Sequence, residues 1–193
     1  TSVGSLSCVE ASNLKCGPGQ YSSNGYEPCS ACAAGYYSSM SAATTCTACV
    51  SGQYSASSTT ACAECAAGQY QGLAGQPDCL DCGAGSVTDT LGSEGATTCS
   101  MCTSGRYSGQ STTACAVCGA GSMTDTLSLE GGATCEACAA GQYSLGWSTT
   151  AAGTCTDCNA GEYSSAGSNV CDPCGEGTYD HDSSASTECL DCD

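Results

Sequence analysis

The sequence predicts a small disulfide-rich fold, mostly irregular with short β-strands and no helix, drawn out as an elongated tandem-repeat rod. Three observations carry this reading. Cysteine supplies 22 of 193 residues, above the level that marks a disulfide scaffold. The motif Cys-x-x-Cys recurs ten times, at Cys29/Cys32, Cys46/Cys49, Cys62/Cys65, Cys79/Cys82, Cys99/Cys102, Cys115/Cys118, Cys135/Cys138, Cys155/Cys158, Cys171/Cys174 and Cys189/Cys192. Ten copies in one chain are architecture, not ten active sites. The third observation is a missing core. There is no Phe and no Ile, only one Trp, nine Leu and six Val, so the nominal 40% of hydrophobic residues is mostly Ala and Cys. A chain of this kind is held by cross-links instead.

Taken in order, residues 1–15 form an N-terminal segment carrying Cys8. Residues 16–189 hold about ten tandem repeats, and residues 190–193 are the truncated start of a further one. Aligned on the second cysteine of each pair, the repeat reads Cys-x-x-Gly-x-Tyr, a Ser/Thr/Gly-rich stretch, then the next Cys-x-x-Cys. Examples are Cys32 to Tyr37, Cys49 to Tyr54 and Cys138 to Tyr143. The step between pairs runs from 16 to 20 residues. The recurrent glycine points to a turn with a backbone angle that other residues resist. The residue two beyond it is expected to lie flat on a neighbouring cystine, where an aromatic ring buries most of its area. This assigns a packing role to Tyr21, Tyr37, Tyr54, Tyr70, Tyr107, Tyr143, Tyr163 and Tyr179. Val87 and Met123 replace tyrosine in two repeats lying 36 residues apart, which suggests packing and not phenol chemistry. The Ser-Ser, Thr-Thr and Ala-Gly runs carry no helical period.

Charge and compartment agree. Lys15 and Arg106 face nineteen acids, for a net charge of −17. Nucleic-acid binding needs clustered Lys and Arg, and a polybasic membrane anchor needs the same. No apolar run is long enough to span a membrane. Disulfides persist outside reducing compartments, so the expected location is extracellular or the cell surface. The chain opens at Thr1 without Met and is read as the mature or excised portion of a protein made with a secretion signal.

The Cys-x-x-Gly-x-Tyr, loop, Cys-x-x-Cys pattern from Cys16 to Cys192 resembles ephrin-receptor-like and tumour-necrosis-factor-receptor-like modules. It is also similar to the CxxC-rich surface proteins of protists. The resemblance implies that the second cysteine of one pair bonds the first of the next. That gives Cys16–Cys29, Cys32–Cys46, Cys49–Cys62, Cys65–Cys79, Cys82–Cys99, Cys102–Cys115, Cys118–Cys135, Cys138–Cys155, Cys158–Cys171 and Cys174–Cys189. Spacing alone leaves an interlaced pairing open. Cys8 and Cys192 are left over, and a leftover cysteine in a secreted protein suggests a bond to another chain. A head-to-tail link from Cys192 to Cys8 of the next copy would generate a filament. The competing readings are that Cys8 bonds Cys16 with Cys29 re-paired, or that the chain continues past Asp193.

Chemistry of other kinds finds little support. Cys46, Cys49, Cys62 and Cys65 have the outline of a four-thiolate zinc site, but every pair in the chain shares that spacing. Redox catalysis needs a thiolate stabilised by a helix start or a cation, and neither is expected. His181 between two acids is read as inert, and no Ser/His/Asp arrangement is credible with one histidine. The acidic pairs Asp78/Asp81, Asp180/Asp182 and Asp191/Asp193 could bind calcium weakly, the solvated-face reading being favoured. Trp147 is read as a loop side chain covering a cystine. No cofactor and no enzymatic activity are expected.

The loops carry the remaining signal. Thr44, Thr45, Thr59, Thr60, Thr97, Thr98, Thr112 and Thr113 fall just before a cysteine, and Thr149 and Thr150 lie in the loop that leads to Cys155. They suit turns, and they are O-glycan acceptor candidates in a secreted chain. No Asn-x-Ser/Thr sequon occurs. The expected function is structural: a subunit of an extracellular, O-glycosylated, disulfide-laddered filament, appendage or stalk, whose partners are copies of itself and glycans. The alternatives are a receptor or adhesion ectodomain that binds a protein ligand and, more remotely, an ice-binding protein prompted by Thr59–Cys62 and Thr112–Cys115.

Overall fold

A computed structural model describes residues 14–57, 59–127, 129–148 and 151–192. Cys8, Thr149, Thr150 and Asp193 lie outside them, as does the N-terminal segment up to residue 13. No helix occurs among the described residues. The chain divides into two compact bodies. One holds the described residues up to Asp81 together with Thr88–Thr98; the other holds Cys82–Val87 and the residues from Cys99 onward.

Every repeat begins with the same turn. The peptide N–H after the glycine donates to the carbonyl three residues back, as Tyr36 does to Ala33 (3.0 Å) and Ser122 to Gly119 (3.2 Å). The glycine is the third residue of that turn, with φ of 85° at Gly35 and 79° at Gly121. A β-turn of this kind demands positive φ at that place, where glycine alone is unstrained. The turn therefore explains the fixed offset between cysteine and glycine in the sequence.

The chain then forms a short antiparallel hairpin. In the first body Gln20–Tyr21 pairs with Ser30–Ala31, Tyr36–Tyr37 with Thr47–Ala48, Gln53–Tyr54 with Ala63–Glu64 and Gln69–Tyr70 with Leu80–Asp81. The second body repeats the pattern, for example in Arg106–Tyr107 with Ala116–Val117, Ser122–Thr124 with Cys135–Ala137 and Glu162–Tyr163 with Asp172–Pro173. The two residues inside each Cys-x-x-Cys thus form the returning strand. Residues three apart on an extended strand face opposite sides. The two cysteines of one pair therefore cannot meet and must close different loops.

Ten disulfides do so. They join Cys16–Cys29, Cys32–Cys46, Cys49–Cys62, Cys65–Cys79, Cys82–Cys99, Cys102–Cys115, Cys118–Cys135, Cys138–Cys155, Cys158–Cys171 and Cys174–Cys189, with Cα–Cα distances of 5.5 to 5.8 Å. This is the serial pairing, not the interlaced one, and the distances are ordinary for a cystine. Each bridge closes 13 to 17 residues of chain, worth about 3 kcal/mol in chain entropy for a loop of that size.

The buried set is narrow. Cys16 and the second cysteine of each pair from Cys32 through Cys138 are buried, while the first cysteine of each pair is half-exposed. Alternating with these sulfurs are Ser38, Ser55, Gln71, Thr88, Ser108, Thr124, Ser144 and Ser164, all buried. The tyrosines are more open. Tyr37, Tyr54, Tyr70, Tyr107, Tyr143 and Tyr163 are half-buried, and Tyr21 and Tyr179 are exposed at 37% and 49%.

Candidate functional site

The feature most developed in this molecule is the seam where one repeat meets the next. It is built from backbone. In the first body the Gly19 N–H donates to the Ser38 carbonyl (2.7 Å), Gly35 to Ser55 (2.8 Å) and Gly52 to Gln71 (2.7 Å). In the second, Gly85 donates to Ser108 (2.8 Å), Gly121 to Ser144 (2.7 Å) and Gly141 to Ser164 (2.9 Å). The residue three beyond the cysteine-linked glycine then donates its own N–H to the following loop. Gln71 reaches the Ala96 carbonyl (3.0 Å), Ser108 reaches Gly132 (3.0 Å) and Ser164 reaches Ala185 (3.0 Å). The loop answers with a third bond. The N–H of Gly75 meets the Cys49 carbonyl, Gly95 meets Cys65 and Gly167 meets Cys138, each at 2.8 Å. A backbone group buried without a partner is costly, so this reciprocity lets small repeats close on one another with little apolar surface.

Side chains complete the seam. The buried hydroxyls work in two ways. Ser55 Oγ donates back to the Tyr36 carbonyl (3.2 Å), Ser144 to Ser122 (3.1 Å) and Ser164 to Gln142 (2.9 Å), each across to the preceding repeat. Others hold their own loop: Ser108 donates to the Gln110 carbonyl (2.7 Å), Thr88 to Leu91 (3.0 Å) and Thr124 to Leu127. Sequence reasoning did not single these residues out. The signal was present, because Ser or Thr stands three residues after the recurrent glycine in most repeats. It was hidden by the abundance of Ser and Thr elsewhere.

The carboxylates serve the loops. Asp89 accepts the Thr97 hydroxyl (2.6 Å) and the Thr97 N–H (3.0 Å). The Thr97 hydroxyl is the main cause holding the Asp89 carboxyl below the usual carboxylate range. Asp182 accepts the N–H of Ser184 (3.0 Å) and the Thr187 hydroxyl (3.0 Å), and its carboxyl is lowered first by that N–H. His181 Nε2 stands 3.5 Å from Asp182 Oδ2. Asp180 caps the Ser183 N–H (2.7 Å), and Asp81 accepts from Gln69 Nε2 (2.8 Å). Asp89, Asp180 and Asp182 are used as turn caps, and Asp81 as a cross-strand partner.

Other sequence candidates fall as follows. Among the described residues no three His, Cys, Asp or Glu side chains gather as a metal-holding group. Cys46, Cys49, Cys62 and Cys65 belong to three different disulfides. Cys192 is an exposed free thiol, and its N–H donates to the Gly177 carbonyl (2.7 Å), as the second cysteine of other pairs does to its glycine. Arg106 donates to the Cys115 carbonyl (3.2 Å). Thr44, Thr45, Thr60, Thr98 and Thr113 are exposed; Thr59, Thr97 and Thr112 are half-buried. The hollows are open and small, such as the one of about 270 Å³ lined by Tyr21, Ala33, Tyr36, Thr45 and Cys46. No helix among the described residues is long and apolar enough to cross a membrane.

With the turn, the hairpin and the serial disulfides in view, comparison with known families is informative. Residues 19–57 and 52–99 match the family described as tyrosine-protein kinase ephrin type A/B receptor-like. Residues 19–99 are thus similar to ephrin-receptor-like repeats. The turn, short hairpin and serial bridge of these repeats recur in the second body, from Cys102 to Cys192. Comparison with curated proteins finds no match. Disulfide-dense ephrin-receptor-like modules of this kind fit an extracellular or secreted protein.

Proposed function

We propose that the chain is a non-enzymatic structural segment of an extracellular filament, appendage or stalk. The observation that carries this reading is the seam. Each repeat is closed covalently by its own disulfide and tied to its neighbour by backbone hydrogen bonds. Stability in such an array is local, a sum of repeat and nearest-neighbour contributions, so loss of one repeat leaves others intact. Acidic loops and O-linked sugars would hydrate the surface. Cys192, exposed and unpaired, would join Cys8 of the next copy head to tail; Cys8 itself lies outside the described residues. Electron microscopy of the purified native material tests the reading: filaments whose axial repeat matches one chain support it, and discrete particles sink it. Non-reducing electrophoresis tests the link separately, by a ladder of multimers that collapses on reduction.

The rival is an ectodomain that binds a protein ligand, favoured by the match of residues 19–99 to receptor-like modules. Discrete particles that capture a single protein partner would favour it.

A further inference from the structure

The structure separates several of the threonines near the cysteines by what their hydroxyls meet. We propose that an exposed threonine immediately before the first cysteine of a pair is the O-glycan acceptor, at Thr45, Thr98 and Thr134, and that Thr59, Thr97 and Thr113 are not acceptors; Thr154 holds the same place before Cys155 but is half-buried and is not assigned, and the inference rests on the O-glycosylated reading above. Thr134 was not among the sequence candidates.

The geometry of the hairpin is the reason. The first cysteine turns its sulfur toward its partner across the loop. Thr98 and Thr134 stand just before a strand, where successive side chains face opposite sides, and Thr45 stands at a bend. Thr45, Thr98 and Thr134 are all exposed, and among the described residues none of their hydroxyls makes a hydrogen bond. The backbone at two of these sites is nonetheless held. Asp89 N–H donates to the Thr98 carbonyl and Asp125 N–H to the Thr134 carbonyl, each at 3.2 Å. The same two carboxylates accept the N–H of the residue before, Thr97 (3.0 Å) and Ala133 (2.9 Å). Thr98 and Thr134 are thus equivalent places in the duplicated repeats, presenting a free hydroxyl from a fixed loop. Thr45 rims the open hollow of about 270 Å³ beside Tyr21 and Tyr36, which leaves room for a sugar.

The excluded hydroxyls are occupied or enclosed. Thr59 Oγ1 is buried without a partner, so no donor can reach it in the folded chain. Thr97 Oγ1 donates a hydrogen bond to Asp89 Oδ2 at 2.6 Å. Thr113 donates to the Gln110 carbonyl at 3.0 Å and stands 3.1 Å from Ser108 Oγ. Transfer requires the hydroxyl oxygen to attack the anomeric carbon of a glycosyl phosphate donor. A carbon–oxygen bond to threonine forms, the bond from that carbon to the phosphate oxygen breaks, and the phosphate leaves with the electron pair. The hydroxyl proton passes to a base of the transferase. A hydroxyl closed off from solvent is out of the transferase's reach, and one held by a carboxylate or carbonyl must first give up that hydrogen bond, so both are disfavoured against a free one.

Peptide mapping of the native-source protein, with fragmentation that retains sugars on their residues, tests the inference. The expected result is sugar mass on Thr45, Thr98 and Thr134 and bare Thr59, Thr97 and Thr113. Sugar on any of the latter three, or bare Thr45, Thr98 and Thr134 in a chain glycosylated elsewhere, overturns the assignment while leaving the glycosylated reading in place. A chain bare throughout removes both. In the native host, Thr98→Ala should lose one sugar increment and Thr97→Ala none; the reverse pattern overturns the assignment.

Discussion

Gly121 and Gly177 occupy the same place in their repeats, with φ of 79° and 82°, and differ in what lies over them. A Cβ built on Gly121 would collide with the Gly167 carbonyl oxygen, two repeats further on; one built on Gly177 would meet nothing within 4 Å. The same cover is found at Gly35 beneath Gly75, Gly52 beneath Gly95 and Gly85 beneath Gly131. Gly161, like Gly177, is open. The cysteines follow suit: Cys118 is 2% exposed, while Cys158 and Cys174 are half-buried. One glycine thus answers two separate demands. The turn needs positive φ in every repeat, and at Gly35, Gly52, Gly85 and Gly121 the close approach of the loop two repeats ahead needs a missing side chain as well.

The largest effect should come from the bridges. Replacing Cys118 and Cys135 together by Ala should cost about 3 kcal/mol in loop entropy, with about 1–2 kcal/mol more for the cavity left by a buried sulfur. The matching change at Cys174 and Cys189 should cost only the first part. Denaturant unfolding under non-reducing conditions measures both, and equal losses would break the comparison. Next comes the glycine pair. Gly177→Ala should cost about 1–2 kcal/mol, the strain of positive φ on an L-residue. Gly121→Ala adds displacement of a backbone carbonyl and should exceed that by about 1–3 kcal/mol.

A smaller effect is expected at the seam hydroxyls. Ser144→Ala removes the bond to the Ser122 carbonyl and should cost about 1–2 kcal/mol. The exposed Ser165 should tolerate Ala within about 0.5 kcal/mol. Thermal melts of the two variants separate a buried hydrogen bond from mere composition. The smallest effect is electrostatic. The Asp89 carboxyl is lowered in the fold, so its stabilisation is complete above the ordinary carboxylate value and is lost as pH falls through the lowered one. Melting temperature should decline on acidification into that range, and Asp89→Asn should flatten the decline. An unchanged profile would show that the carboxylate does not anchor the loop over Gly52.

Much of this was legible in the residues. The offset from cysteine to glycine foretold the turn, and a two-residue gap between cysteines left room for one short strand. The hydroxyls at Ser55, Ser144 and Ser164 were hard to read among so many Ser and Thr, since each donates across to the preceding repeat. Nor was the difference between Thr97 and Thr98, adjacent and identical in type. Only the fold shows that Asp89 binds one hydroxyl and leaves the other in solvent.

From the amino acids alone came the disulfide-rich class, the repeat and the turn, because loop closure over 13 to 17 residues and positive φ at glycine are local matters. Tertiary structure decided which glycines lie under a carbonyl, which hydroxyls enter the seam and which threonines stay free. These depend on the loop one or two repeats away, whose approach is governed by backbone hydrogen bonds that leave no mark in the identity of a side chain.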